Sequence, residues 1–296
     1  MININKCPVT ATDLQEFITC KDYLQSQESF SIKANQDKSI LITSPRPKDE
    51  DLGGYYDSPE YISHTDSSKS LFDQVYKIIR GYALKSKLNL INTFDGNKQL
   101  LDYGCGTGDF LETAKKGGWN IQGIEPSDSA RSIAEEKLSI AISLPSDLFK
   151  MQDNSYDVIS LWHVLEHVPN LMEVSHQLSK LLKPGGHLIL ALPNFKSADA
   201  KKFKEKWAAF DVPRHLWHFS PSGIKHLSKK IGLVLKDQKP MPFDSFYVSM
   251  LSNKQALGKI KPVASFLSGL TSNMKAKQTA NWSSLIYILE KPKEDV

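Results

Sequence analysis

The chain has 296 residues, enough for one large domain or one domain with smaller additions, since domains commonly run to about 100–200 residues. Its 37 basic residues against 33 acidic ones leave a net charge of +4, which gives no reason to expect a nucleic acid or a membrane as partner. No segment approaches the roughly 18 uninterrupted apolar residues of a membrane span, and three cysteines are too few for a disulfide framework, so we expect a cytoplasmic protein.

The first 50 residues predict a small β-rich segment. Residues 30–32 and 40–43 have the alternating or apolar pattern of strands, and the stiff Pro45-Arg46-Pro47 connector follows them. Residues 71–90 then place apolar side chains at helical spacing, which predicts a helix packed against a sheet. The apolar positions are Leu71, Val75, Ile78, Ile79 and Tyr82.

The sequence LLDYGCGTGD at residues 100–109 predicts a cofactor-binding loop. Its alternating glycines, Gly104, Gly106 and Gly108, let the backbone adopt positive φ and approach a ligand closely. A helix is predicted over 111–116 and a strand over 119–124, and Glu125 stands at the end of that strand. An acid at this place in a nucleotide-binding fold holds ribose hydroxyls.

The spacing and charge of this loop favour a cationic cofactor over a dinucleotide. Dinucleotide sites use G-x-G-x-x-G, whereas this loop has G-x-G-x-G between Asp102 and Asp109. A carboxylate would repel a pyrophosphate and attract an amino group or a sulfonium. The pattern therefore favours S-adenosylmethionine over NAD, and a dinucleotide oxidoreductase is the disfavoured alternative.

The rest of the chain continues the alternation of helices and strands. Helices are predicted over 129–137, 169–182 and 220–231, and strands over 141–144, 157–162, 187–192, 232–235 and 283–289. Residues 243–280 are an insertion, expected to be helical around 263–270. Ligands bind at the carboxyl ends of strands in open α/β sheets, which places Trp162 and His163 near the expected reaction centre.

The chain resembles class I S-adenosylmethionine-dependent methyltransferases, specifically a bacterial methyltransferase-domain family. The resemblance rests on residues 102–108, Glu125, and residues 156–160, 162–168 and 182–186, and it covers roughly 98–240. It implies a Rossmann-like α/β fold with a seven-stranded, mostly parallel sheet whose last strand is antiparallel, and with helices on both faces. The predicted domains are a segment 1–50, a lid and helix 51–97, and the cofactor-binding domain 98–296 with the insertion 243–280.

The resemblance also implies which residues contact the cofactor. Asp147 and Leu148 fit the acid and the apolar side chain that flank the adenine ring in this superfamily. The full expected set is Asp102, Tyr103, Gly104, Gly106, Gly108, Glu125, Pro126, Asp147, Leu148, Trp162 and His163.

The expected reaction is methyl transfer to an oxygen or carbon of a small-molecule acceptor. Imidazole is suited to removing a proton near neutral pH, so the candidate catalytic residues are His163, His215 and His218. A lid over the pocket would contribute Tyr61 and His64 to acceptor binding. Arg214 and His215, from a loop rich in His, Arg and Trp, complete the expected acceptor site.

No metal is expected. Related bacterial methyltransferases resemble one another in carrying an N-terminal zinc ribbon, but here only Cys7 and Cys20 remain where four ligands are needed. The run from His163 to His167 is similar to a metal-binding run of some quinone-biosynthesis O-methyltransferases, which carry an acid where this chain has His163. Glu166 and His167 are therefore expected to cap the following helix.

Two other functions stay open from the sequence. Lysines in 196–206 could form a basic patch, which would suit a tRNA or protein methyltransferase, although a solvated helix face is the expected arrangement. The lost cysteines leave room for a non-catalytic protein that binds S-adenosylmethionine.

Overall fold

A computed structural model describes residues 1–56 and 71–293 of the chain, with the side chains of residues 71–78 left out. Two sheets organise these residues. The larger has six strands in the order β5-β4-β6-β7-β10-β9, and the smaller has four in the order β1-β2-β3-β8. The strands are β1 (Gln15–Lys21), β2 (Ser29–Ala34), β3 (Ile40–Thr43), β4 (Gln99–Tyr103), β5 (Asn120–Ile124), β6 (Tyr156–Trp162), β7 (Leu182–Pro193), β8 (Trp217–Phe219), β9 (Val234–Pro240) and β10 (Ser284–Glu290).

The large sheet confirms the predicted fold class. Strands β5, β4, β6 and β7 pair in parallel, while β10 runs antiparallel to both β7 and β9. The last strand is thus antiparallel, as expected, although the described sheet has six strands and not seven. The predicted strand over 141–144 forms only a single bridge, between Ser143 and Ile124, because the chain enters a 3-10 turn (Pro145–Lys150) directly afterwards.

Helices cover both faces of this sheet, as predicted. Successive residues of a strand point to opposite faces, and Leu100 and Leu101 accordingly belong to two separate hydrophobic clusters. None of the described helices has the length and hydropathy needed to cross a membrane. The helices are α1 (Leu71–Ile91), α2 (Asp109–Lys116), α3 (Asp128–Leu138), α4 (Leu171–Leu181), α5 (Ala198–Phe203), α6 (Pro221–Lys230), α7 (Asp244–Leu257) and α8 (Pro262–Thr279).

Serine residues begin three of these helices. Ser127, Ser197 and Ser220 accept hydrogen bonds from backbone N–H groups in the first turns of α3, α5 and α6. Such a cap stabilises a helix by about 1 kcal/mol. The helix starts near 129 and 220 were therefore readable from sequence, to within one or two residues.

The N-terminal sheet is completed by a strand from the other end of the chain. Strand β3 pairs antiparallel with β8, and the two cysteines of this region lie in different hydrophobic clusters. Hydrophobic packing therefore holds Cys7 and Cys20 apart. The division of the chain at residues 50 and 97 stays a prediction.

A buried cation joins β1 to the loop before β8. Arg214 is 1% exposed, and its guanidinium forms ion pairs with Asp22 at 2.8 Å and with Asp211 at 2.7 Å, and donates to the carbonyl of Tyr55 at 3.1 Å. These carboxylates stabilise the charged form and raise the pKa of Arg214 despite its burial. The sequence-based assignment of Arg214 to acceptor binding does not fit this arrangement, because its donors are used within the protein.

We expect Arg214→Met to destabilise the fold by about 3–5 kcal/mol, since removing one partner of a buried ion pair leaves unpaired buried charge. Chemical denaturation measures this. Lys225→Met is the matched control, because Lys225 is exposed on α6 and should change stability by less than about 0.5 kcal/mol. Unchanged stability together with a raised KM for the acceptor would contradict the structural role.

Candidate active site

The glycine loop follows β4 directly and bends the chain through positive φ at three places. Gly104, Gly106 and Gly108 have φ of 77°, 54° and 77°. Gly104 packs so tightly against Val164 that a Cβ would lie 2.5 Å from it, whereas no atom lies within 4 Å of a Cβ built on Gly106. The loop therefore packs closely at its base and leaves open space above Gly106.

Asp102 is a buried acid at the end of β4. It is 2% exposed, and Ser160 donates a hydrogen bond to its Oδ1 at 2.5 Å. Burial raises the pKa of Asp102 to about 7, against the opposing effects of Ser160 and Lys87. A carboxyl group in this state titrates near neutral pH, and an added cation would favour its charged form.

Glu125 lies beside the loop, at the end of β5. Its two carboxylate oxygens accept from the backbone N–H of Gly106 at 2.8 Å and of Ser127 at 2.9 Å. Each carboxylate oxygen can accept a second hydrogen bond, so Glu125 keeps acceptor capacity for a pair of hydroxyls. Tyr103 is buried in the core below it, while Pro126 is exposed beside it.

A lysine that sequence reasoning missed lies between Asp102 and Trp162. Lys87 of α1 places its Nζ 4.2 Å from the centroid of the Trp162 ring and 5.7 Å from that of Phe110. Burial lowers its pKa, and attraction to Asp102, Asp244 and Asp109 opposes that effect. The space bounded by an aromatic face and carboxylates is therefore suited to a cation. No motif signals Lys87, because α1 is brought here by tertiary packing.

The two predicted adenine contacts lie in different surroundings. Leu148 is fully buried in the core, so its side chain is closed to a ligand. Asp147 pairs with Lys150 at 2.8 Å and accepts from the N–H of Leu144 at 3.1 Å, and like Glu125 it keeps acceptor capacity. Leu144 is instead the exposed apolar side chain on this edge, and Ser143 next to it accepts from the N–H of Glu125. The strand predicted over 141–144 is reduced to the single bridge at Ser143, and Leu144 directly precedes the 3-10 turn.

His163 is held between two carboxylates. Its Nε2 lies 3.1 Å from Asp244 and its Nδ1 lies 3.6 Å from Glu166. Burial alone would lower the pKa of His163, but these acids raise it to about 10. The ring therefore carries a proton at neutral pH, which does not suit a general base. Asp244 begins the insertion, so no motif could link it to His163.

Glu166, His167 and His215 form a cluster beyond His163. One ligand atom from each lies within 4.8 Å of the others. Both oxygens of Glu166 are buried and have no hydrogen-bond partner within the described chain. The expected helix cap is therefore wrong: the side chain of Glu166 bonds no backbone group, and α4 begins after Asn170 without a side-chain cap.

Hydrogen bonds orient the two rings of this cluster. Nδ1 of His215 lies 2.9 Å from the carbonyl of Ala209, which can only accept, so this nitrogen carries a proton. Nδ1 of His167 lies 2.9 Å from the hydroxyl of Tyr56 and 3.2 Å from the carbonyl of Arg214. Burial lowers the pKa of His167 to about 4, and the charge of His215 adds to this effect. The cluster thus combines a carboxylate with two imidazole rings, of which His167 is neutral at pH 7.

The remaining predicted residues have other positions. His218 is buried with its Nε2 3.1 Å from Thr43, which joins β8 to β3, and burial lowers its pKa well below the usual value. It lines the small space beside the cluster together with Glu166 and His215. Tyr61 and His64 lie outside the described residues. Of the three candidate catalytic histidines, the structure brings only His215 into the cluster and adds Glu166 and His167.

Comparison with known proteins agrees with this geometry. Residues 62–238 match the family described as Methyltransferase domain, which is more than half of the chain. The chain belongs to this methyltransferase family. It is similar to the ubiquinone biosynthesis O-methyltransferase of Hydrogenovibrio crunogenus, with 29% identity over 161 residues that cover 50% of this chain and 67% of that protein.

Two further likenesses bear on relatives and fold. A Vibrio atlanticus protein with the same name is 38% identical over 109 residues, which are 34% of this methyltransferase and 46% of that protein. The chain therefore spans between about half and two thirds of these two relatives. A Galdieria sulphuraria structure, named as a candidate sarcosine dimethylglycine methyltransferase, is 18% identical with a TM-score of 0.51, covering 73% of this chain and 86% of that one, and supports the fold.

The methyltransferase uses S-adenosylmethionine, and its site fits this cofactor. Lys87 lies over Trp162 and is attracted by Asp102, so this part of the site favours a positive charge. The open space above Gly106 and the spare acceptor capacity of Glu125 suit the ribose.

We expect the affinity for S-adenosylmethionine to fall as the pH drops below 7. A bound cation lowers the pKa of Asp102 below its free value of about 7, so binding below that pH must release a proton. The expected slope approaches about tenfold weaker affinity per pH unit. Calorimetric titration at pH 8, 7 and 6 measures it.

Asp102→Asn should bind weakly at every pH and lose this slope. Asp153→Asn is the matched control, because Asp153 is exposed and distant from the loop, and should keep the slope of the unmodified protein. An unaltered slope in Asp102→Asn would contradict the assignment to Asp102.

Proposed function

We propose that this methyltransferase transfers a methyl group to a hydroxyl oxygen of a small-molecule acceptor. The observation that carries the proposal is the cluster of Glu166, His167 and His215 beside the cofactor pocket. Carboxylate and imidazole groups placed together can accept the proton of an acceptor hydroxyl. The names of the relatives, ubiquinone biosynthesis O-methyltransferases, support transfer to oxygen.

The cofactor pocket is proposed to bind through its charges. Asp102 attracts the cationic end of S-adenosylmethionine, and the Trp162 ring lies against it. Glu125 accepts from the ribose hydroxyls, and Leu144 supports the base in place of the predicted Leu148. The cofactor supplies an electrophilic methyl group on a sulfonium.

The acceptor is proposed to bind with its hydroxyl at the cluster. His163 joins the two sites, because it follows Trp162 and pairs with Glu166. Its proton stays in place at neutral pH, so it orients the carboxylate of Glu166 and compensates its charge. Ionised Glu166 is the group proposed to accept the hydroxyl proton, with the rings of His167 and His215 beside it.

The cluster also fits a divalent ion, contrary to the expectation of no metal. One carboxylate oxygen of Glu166 and one ring nitrogen each of His167 and His215 lie within 4.8 Å of one another, and both oxygens of Glu166 lack a hydrogen-bond partner within the described chain, so this set suits such an ion. Glu166, His167 and His215 would hold it, with His215 serving where the resembling enzymes use an acid at the position of His163. The ion would lower the pKa of a bound hydroxyl.

The alternatives from the sequence are less well supported. Nε2 of His167 and the oxygens of Glu166 lie in a largely buried cluster, which suits a small acceptor better than a tRNA or a protein. A non-catalytic binding protein would have no use for uncompensated donors, which are costly to bury.

Isotope transfer tests the reaction. The purified protein, methyl-labelled S-adenosylmethionine and an extract of the source cells should yield label in the organic-soluble fraction. The labelled product should carry its label as the methyl group of an ether. Label in RNA or protein would favour the macromolecular alternatives. Cofactor binding without label in any fraction would favour the non-catalytic one.

We expect Glu166→Gln to lower kcat by about 10²–10⁴-fold with little change in cofactor affinity, because it removes the charged member of the cluster. Glu173→Gln on α4 is the control, since Glu173 is exposed and should leave turnover unchanged. Dialysis against EDTA should lower the rate, and a divalent ion should restore it in the unmodified protein. Full activity after dialysis would contradict a role for a divalent ion and leave proton acceptance as the role of the cluster.

A further inference from the structure

The insertion forms a helical hairpin that buries small and polar side chains and exposes large apolar ones. Helices α7 and α8 bury small and polar side chains, namely Ser245, Ser249, Ser252, Asn253, Ser265, Ser268, Gly269, Ser272 and Ala276. Their large apolar side chains are exposed instead. Those considered below, together called the hairpin surface, are Leu257, Ile260, Val263, Phe266, Leu267, Leu270 and Met274.

Close contact between the two helices explains why the small residues are inside. A Cβ built on Gly269 would lie 2.7 Å from the ring of Phe246 and 2.9 Å from its Cα, so no larger residue fits. Asn253 donates to Ser265 at 3.2 Å, and Ser245 donates to the carbonyl of Gly269 at 3.3 Å. Phe266 stacks on Phe246, with ring centroids 5.3 Å apart, but remains 57% exposed, so most of the apolar surface is left for another contact.

The hairpin surface is continuous and strongly exposed. Positions 263, 266, 267, 270 and 274 follow the spacing of one helical stripe, and Val263, Phe266 and Met274 are 74%, 57% and 62% exposed. Leu257 and Ile260 extend the stripe across the turn between the helices. A contiguous apolar patch of this kind marks an interaction site.

The charge around the hairpin surface is one-sided. Residues 245–282 contain five lysines, Lys254, Lys259, Lys261, Lys275 and Lys277, and no acidic residue. The net charge of +4 for the whole chain concealed this, because acids elsewhere balance the total. The expectation of no membrane partner rested on that total and on the absence of a spanning segment.

We propose that the hairpin surface docks the methyltransferase on an anionic lipid bilayer. Apolar side chains enter the interface between headgroups and acyl chains, and the lysines bind the lipid phosphates, as in interfacial amphipathic helices. A second copy of the chain fits less well, because a symmetric contact would bring two lysine-rich, acid-free surfaces together. The inference does not depend on the acceptor or on catalysis.

Docking also bears on the active site. Helix α7 begins at Asp244, whose carboxylate lies 3.1 Å from His163. The first residue of the hairpin is therefore anchored at the active site, while its apolar surface begins at Leu257, at the opposite end of α7.

Vesicle sedimentation with the full chain tests the proposal. The protein should sediment with vesicles of phosphatidylcholine containing phosphatidylglycerol, and remain in solution with phosphatidylcholine alone or at high salt. Phe266→Ser with Leu267→Ser, and separately Lys259→Gln with Lys261→Gln, should each weaken binding by about tenfold. Ile133→Ser on α3 is the control for the apolar pair, because Ile133 is exposed on a different helix.

Thermal unfolding and light scattering complete the test. The substituted side chains are exposed, so each variant should unfold near the temperature of the unmodified protein. Equal sedimentation with both vesicle types, or none with either, would overturn the proposal. A dimer in solution that Phe266→Ser with Leu267→Ser converts to a monomer would assign the hairpin surface to a second copy instead.

Discussion

Burial of the Asp102 carboxyl at the end of β4 is the constraint on which the site depends. A buried acid needs a cation or a proton. Ser160 donates to Asp102 from β6 and Lys87 on α1 attracts its charged form, but burial outweighs both and raises its pKa to about 7. The loop that follows closes at Gly104 against Val164. The sheet, the glycine loop and α1 thus all form the surroundings of the Asp102 carboxyl group.

A row of three paired charges extends from the cofactor pocket to the proposed acceptor site. Asp244, His163 and Glu166 alternate in sign, so each compensates its neighbour within a region where isolated charges would be unfavourable. The chain needs positive φ, 57°, at His163 to turn the ring between the two acids. Strain of this kind in a non-glycine residue is found where the surrounding structure requires it. The insertion is thereby a part of the site and not an appendage.

Sequence reasoning reached the elements whose signals are local. The loop from Gly104 to Gly108, Asp102 and Glu125 follow a strand–loop–helix pattern that periodicity and spacing specify, and the sheet order follows from it. It failed where tertiary packing decides. Leu148 lies in the core and not in the pocket. The guanidinium of Arg214 is paired with Asp22, which is 192 residues away in the sequence. Two histidines assigned as bases proved to be paired, since a spacing does not reveal a partner on another element.

The position of Lys87 has a consequence for selectivity. The ammonium group of Lys87 lies over Trp162, and burial nevertheless raises the pKa of Asp102 to about 7, so this lysine alone does not hold the carboxyl ionised at neutral pH. A ligand that brings a further positive charge favours the ionised carboxyl, whereas a neutral or anionic nucleotide brings none and is disfavoured. The demethylated cofactor has lost its sulfonium charge. We therefore expect the same carboxyl to distinguish the cofactor from its spent form by charge alone.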